Sequence, residues 1–119
     1  MVRVLFVDDD QFILNAYQRM LRHSSFDCTF LSEPSLVWQQ PGLDSIHIVI
    51  ADQQMPGLTG TELLQLLAQK HPAIKRVLIS GDLNLAYRHL GSVQLDATLK
   101  KPCSKAGLLQ CLTQLSTDV

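Results

Sequence analysis

Arg3-Val4-Leu5-Phe6-Val7-Asp8-Asp9-Asp10 is the stretch that decides the fold. Four consecutive apolar, strand-prone residues stop at three carboxylates. A run this short, with no polar alternation, reads as a strand buried on both faces. The acid triplet marks where the strand stops. A strand covered on both sides belongs to a parallel sheet with helices above and below it.

The rest of the chain repeats that logic. Gln11 to His23 carries Ile13, Leu14, Tyr17, Met20 and Leu21 at helical spacing. Asp27 to Leu31 reads as a second strand. Between Ser32 and Asp44, Pro34 suits a first helical turn. Leu36, Val37 and Trp38 give that helix a short apolar face, and Pro41-Gly42 ends it. Ile46 to Ala51 is a third strand that stops at Asp52. His47 lies in it as a packed or edge histidine, because no second metal ligand stands near it in sequence. Met55-Pro56-Gly57 marks a turn, and Thr59-x-x-Glu62 is a capping box ahead of Leu63, Leu64, Leu66 and Leu67. Arg76 to Ile79 is a fourth strand, stopping at Ser80-Gly81. Leu83 to Leu90 reads as a short helix, and Ala97 to Leu99 as a fifth strand before Lys100-Lys101-Pro102. Ser104 caps a last helix faced by Leu108, Leu109, Leu112 and Leu115.

Strands alternating with helices predict an α/β fold. The expectation is a flavodoxin-like, doubly wound five-stranded parallel sheet, order 2-1-3-4-5, with helices on both faces. In such sheets ligands sit beyond the carboxyl ends of the strands. Those ends carry Asp8, Asp9, Asp10, Asp52, Ser80 and Lys101, so the reactive side chains converge on one rim.

Composition narrows the classes. With 119 residues, 46% of them hydrophobic and a net charge of −1, the chain reads as one folded domain and not a disordered segment. No apolar run approaches the ~20 residues of a membrane helix. Met1-Val2 leads straight into a strand, so no secretory leader is read and a cytoplasmic location is the expectation. Cys28, Cys103 and Cys111 show no metal-ligand spacing and read as small core or surface residues. Residues 1–52 hold three basic and seven acidic side chains, and residues 53–119 seven and four. Neither half has a basic stripe with interleaved aromatics, which argues against direct nucleic-acid binding.

Clustered carboxylates repel one another and invite a divalent cation. An all-oxygen ligand set with open positions suits Mg²⁺. A lysine and a hydroxyl on the same rim can hold phosphoryl oxygens, and a carboxylate can serve as the nucleophile. Taken singly, each of these groups is as readily a solvated strand end; together they are not.

Val7-Asp8-Asp9, Ile50-Ala51-Asp52-x-x-Met55-Pro56-Gly57-x-x-Gly60, Ile79-Ser80-Gly81 and Lys101-Pro102 resemble the signatures of the receiver domain of two-component response regulators. The match runs in order from Val2 to about Leu115. The resemblance implies that Asp52 is the phospho-acceptor. It implies that Asp8 and Asp9 hold Mg²⁺ with Asp52 and the Gln54 backbone carbonyl. Ser80 would follow the phosphoryl group, Lys101 would pair with it, and the Lys101-Pro102 bond would be cis. It also implies a sensor histidine kinase or phosphotransfer protein as donor, and an output domain in cis or a partner protein as receiver of the signal; a homodimer is left open. Residues 1–119 then form a single receiver domain, whole or excised from a longer chain with a C-terminal output domain. Such a domain catalyses its own phosphorylation and dephosphorylation without being a conventional turnover enzyme. Ile79-Ser80-Gly81-Asp82 is similar to receivers attached to cyclic-di-nucleotide phosphodiesterase or regulatory modules.

The sequence departs from the family at Thr98, where an aromatic residue is usual, so a switch built on an inward-swinging ring cannot work in that form. Tyr87 is the candidate substitute. The resemblance puts Gln54, two positions after Asp52, beside the path of an attacking water, which its long amide could either block or orient. Asp10 has no role in the family, and Lys100 reads as a solvated neighbour. Two other readings are weighed. One is a receiver-like docking module with weak or no phosphorylation switching, which Thr98 favours. The other is a haloacid-dehalogenase-type phosphatase using Asp8-x-Asp10, Ser80 and a lysine, which leaves Asp52 and Met55-Pro56-Gly57 unexplained and lacks an acidic motif after Lys101.

Overall fold

The computed structural model describes residues 1–88 and 93–117. Its strands are β1 (Arg3–Val7), β2 (Asp27–Leu31), β3 (Ile48–Asp52), β4 (Lys75–Ser80) and β5 (Ala97–Lys100). They form one parallel sheet in the order β2-β1-β3-β4-β5, as the alternating pattern predicts. Its α-helices are α1 (Gln11–Leu21), α2 (Gly60–Lys70), α3 (Leu83–Tyr87) and α4 (Lys105–Ser116). The expected end of the third of these, residues 89 and 90, lies outside the described residues.

The period-2 alternation of strand side chains divides the core in two. Leu5, Val7, Val49, Ala51 and Leu78 face α2, α3 and the segment after β2. Val4, Phe6, Ile48, Ile50, Val77 and Ile79 face α1 and α4. Each fully buried Leu, Ile or Phe on these faces contributes about 1.5–3 kcal/mol relative to exposure. Phe6 stacks between Tyr17 and Phe30, with ring centroids 5.3 and 5.1 Å away. Burial on both faces is what the unbroken apolar runs demanded.

The register aligns the strand ends. Val7 pairs with Leu31 and Ala51, Asp52 with Ile79, and Ser80 with Lys100. Residues immediately following β1, β4 and β5 therefore meet residues ending β3 along one edge.

Two expectations are corrected. The helix expected after β2 is two 3₁₀ turns, Pro34–Gln39 and Leu43–Ser45. Pro41-Gly42 interrupts the segment, and Gly42 turns the chain with φ +74°. Val37 is buried, Leu36 is exposed, and Trp38 lies beneath Lys70, whose ammonium is 4.8 Å from the ring. The third strand begins at Ile48, two residues later than expected, because Ile46 closes the second 3₁₀ turn. His47 still extends the ladder: its N–H donates to the Arg3 carbonyl, and its Nδ1 accepts from the Arg3 N–H, both at 2.9 Å. Of the packed and edge alternatives it is the packed one, because it leads into the central strand and its carbonyl also accepts from the Lys75 N–H at 2.9 Å.

Candidate phosphoryl and metal site

The site is built from strand ends. Asp8 follows β1 and Asp52 ends β3, and both are buried, at 2% and 5% exposure. Lys101 follows β5, its backbone N–H fixed 2.9 Å from the Ser80 carbonyl and its peptide bond to Pro102 cis. The Lys101 ammonium bridges the two acids, with Nζ 3.0 Å from Asp8 Oδ2 and 3.0 Å from Asp52 Oδ1. Asp9 points outward, yet oxygens of Asp8, Asp9 and Asp52 lie within 4.8 Å of one another. These residues line an open cavity of about 450 Å³, with Asp10, Ile13, Gln54, Gly81 and Asp82 completing the wall.

The electrostatics follow from burial and proximity. Burial pushes the Asp52 carboxyl above its ordinary value; the Lys101 hydrogen bond draws it back, while the charges of Asp8 and Asp9 raise it further. Burial alone would lower the Lys101 ammonium, but its bonds to Asp52 and Asp8 outweigh that and hold it above its ordinary value. Lys101 is therefore a fixed positive charge facing the buried carboxylates. The donor set around Asp8, Asp9 and Asp52 is all oxygen and open on one side, which fits a hard divalent cation that keeps some of its waters.

Not every rim residue joins the cluster. Asp10 turns away and caps α1, its Oδ1 accepting from Phe12 N at 2.9 Å and Ile13 N at 3.4 Å. That gives it a structural role and weakens the Asp8-x-Asp10 phosphatase reading. Ser80 ends β4 and is buried. Its hydroxyl is bonded to the Asp82 backbone, accepting from N–H and donating to C=O, both at 3.1 Å. It lines an adjoining cavity of about 330 Å³ with Gln53, Gln54, Thr59, Thr61, Glu62, Asp82 and Ala86. Gln54 is exposed and stands in the walls of both cavities.

Three features gain a geometry that the sequence did not supply. Gly60 lies so close to β3 that an added Cβ would sit 2.4 Å from the Asp52 carbonyl oxygen. Gln53 is buried, and its amide bonds Thr61 across eight residues. Tyr87 on α3 reaches β5, its hydroxyl 3.1 Å from Thr98 Oγ1. The last contact places a tyrosine over the Thr98 position, but from the neighbouring helix. The motif carried the glycine at 60 and the missing aromatic at Thr98 pointed to Tyr87; the Gln53–Thr61 pairing is the one that no spacing rule displays.

Fold and rim together define a doubly wound α/β domain with an acid–lysine cleft at its switch point. The chain belongs to the response regulator receiver domain family, which it matches over residues 4–113. It is thus a receiver domain of two-component signalling. The hydrogenase transcriptional regulatory protein HoxA of Cupriavidus necator is 36% identical over 81 residues, covering 66% of this chain and 16% of that protein. The DNA-binding transcriptional regulator NtrC of Escherichia coli K12 is 27% identical over 79 residues, covering 66% and 17%. The chain spans between 14% and 33% of the length of the curated relatives it matches. The signal receiver domain of an HD-domain-containing protein from Pseudomonas fluorescens Pf-5 superposes with TM-score 0.88 at 25% identity, covering 98% of this chain and 95% of that one. TrrA of Thermotoga maritima, solved in complex with Mg²⁺ and BeF, shares the fold at TM-score 0.84 and 22% identity, covering 97% and 99%. Among the described residues no helix is long and apolar enough to cross a membrane.

Proposed function

We propose that this receiver takes a phosphoryl group onto Asp52 from the phosphohistidine of a sensor kinase or phosphotransfer protein. The observation that carries the reading is Lys101 held 3.0 Å from both buried acids at the switch point. That is the charge an arriving phosphoryl oxygen needs beside a carboxylate nucleophile. The Asp52 oxygen bonds phosphorus as the donor's P–N bond breaks; the bonding pair returns to the donor nitrogen, and the imidazole, protonated on its other nitrogen, leaves neutral. Asp8, Asp9, Asp52 and the Gln54 carbonyl are the proposed Mg²⁺ ligands. When bound, the ion neutralises the phosphoryl charge that the carboxylates would otherwise repel. The Mg²⁺ and BeF in the Thermotoga structure support that assignment by likeness of fold.

Lys101 exchanges part of its contact with Asp52 for a phosphoryl oxygen. Ser80 leaves Asp82 to donate to another, and the start of α3 follows. The change is passed to an output domain in cis or to a partner protein. Residues 1–119 are taken as one receiver domain serving such an output, in the cytoplasm.

The test is acetyl phosphate with Mg²⁺ and intact mass. The parent gains a single phosphoryl group, and Asp52→Asn gains none. Labelling that persists in Asp52→Asn would refute the assignment.

A further inference from the structure

The leading N–H groups of a helix have no partner inside it. In α2 they are answered from outside. Gly60 N–H donates to the Gln53 carbonyl at 3.1 Å. Thr61 N–H donates to Gln53 Oε1 at 2.9 Å. Glu62 N–H donates to Thr59 Oγ1 at 3.2 Å. The residue immediately after Asp52 therefore caps two of the three.

The same side chain extends further. Gln53 Nε2 donates to Thr61 Oγ1 at 3.3 Å, and that hydroxyl lies 3.1 Å from Thr59 Oγ1. On the strand side, Gln53 N–H donates to the Ile79 carbonyl at 3.0 Å. The loop from residue 54 to residue 59 is thus stapled at both ends to one buried amide. Its first residue, Gln54, forms a wall shared by the acid cavity and the cavity beside Ser80.

We propose that Gln53 is a positioning residue for the chemistry at Asp52: by holding α2 and the 54–59 loop against the end of β3, it fixes the Gln54 wall and so limits water's access to the acyl phosphate. The inference rests on Asp52 being the phosphoryl acceptor. Hydrolysis needs a water aligned with the breaking O–P bond. A wall held by a buried amide bonded at both its oxygen and its nitrogen admits fewer such approaches than a loose one.

The experiment labels the parent, Gln53→Met and Thr61→Val with acetyl phosphate and Mg²⁺. It then removes the donor and follows loss of the added mass. Gln53→Met keeps the length of the side chain and loses both amide bonds; Thr61→Val loses the Nε2–Oγ1 link and the contact between the Thr61 and Thr59 hydroxyls but keeps the Thr61 N–H bond to Gln53 Oε1. The expected result is loss of phosphate about fivefold faster in Gln53→Met and about twofold faster in Thr61→Val, a modest misplacement effect. Amide exchange rises at Gly60 and Thr61 in Gln53→Met and stays at the parent level in α4. Faster exchange at Gly60 and Thr61 with unchanged phosphate loss overturns the positioning role and leaves a plain helix cap. Should Gln53→Met fail to fold, Thr61→Val decides: parent-like phosphate loss overturns the proposal. A parent that takes up no phosphoryl group overturns the Asp52 reading itself, which is a separate result.

Discussion

Replacing Gly60 by alanine tests the close approach of α2 to the phospho-acceptor strand. The new Cβ would stand 2.4 Å from the Asp52 carbonyl oxygen, 2.9 Å from its carbon and 2.8 Å from Leu78 Cδ1. Leu78 can shift its methyl group; the Asp52 backbone, paired in the middle of the sheet, cannot. Ordinary contact, 3.4–4 Å, requires the start of α2 to withdraw by about 1.0–1.6 Å. Overpacking of this kind costs about 1–3 kcal/mol. Withdrawal also lengthens the Gly60 N–H and Thr61 N–H bonds to Gln53, each worth about 1 kcal/mol. Alanine's better helix propensity returns at most about 1 kcal/mol. The net loss is about 2–4 kcal/mol, or about 8–16 °C in Tm for a chain of this length. Gly57→Ala provides the comparison. There φ is +79° and nothing lies within 4 Å of the added methyl, so the cost is backbone strain alone, about 1 kcal/mol. Urea and thermal unfolding of the three proteins read the order directly. Gly60→Ala melting within 1 °C of the parent, or above Gly57→Ala, would mean that the close approach does not constrain α2.

Other outcomes follow from single contacts. The Thr59 backbone N–H and hydroxyl both donate to Glu62, holding its carboxyl below the ordinary value. The stabilisation is present above the unfolded glutamate value of about 4.3 and is lost as pH falls through the lower folded value. Glu62→Gln is therefore less stable than the parent at neutral pH, and their melting curves converge on acidification. Burial, then the charge of Asp27, pushes the Cys28 thiol up to about 11; at pH 8 its alkylation in the native protein runs about a hundredfold slower than in urea, measured on the tryptic peptide. Tyr87→Phe and Thr98→Val each cost about 0.5–1 kcal/mol, and the double variant costs no more than either single, because both remove one hydrogen bond. Additive losses would show that the two hydroxyls act separately.

The sheet and the rim were legible because the signals for both are local. An apolar run that stops at a charge or a hydroxyl defines a strand and its end at once, and four such stops placed Asp8, Asp52, Ser80 and Lys101 on one edge. The 3₁₀ turns were misread as α-helix because Pro34 and a three-residue apolar face also suit a helix start; only the length available before Pro41 separates the two. Asp10 was counted with the acids because sequence gives its charge but not its rotamer, and an N-cap aspartate turns its carboxylate back on its own helix. Gln53 was passed over for Gln54 because the amide that matters is defined by Thr61, a partner on the far side of a loop. Tyr87 was considered beside Thr98, but only the packing of α3 on β5 brings the two hydroxyls together.

The strand that opens the sheet has a further consequence before any sheet exists. Val4, Leu5, Phe6 and Val7 are almost wholly buried in the native state, and their sheet neighbours in β2 and β3 lie later in the chain. Until those segments pair with it, this is a short, uncharged, strand-forming stretch of the kind that seeds aggregation. Asp8-Asp9-Asp10 flanks it with three like charges that repel the same stretch of a second nascent chain. The carboxylates that gather at the cleft in the folded protein thus act in the unfolded one as gatekeepers, and neutralising them for loss of function also removes a barrier to misassembly during synthesis.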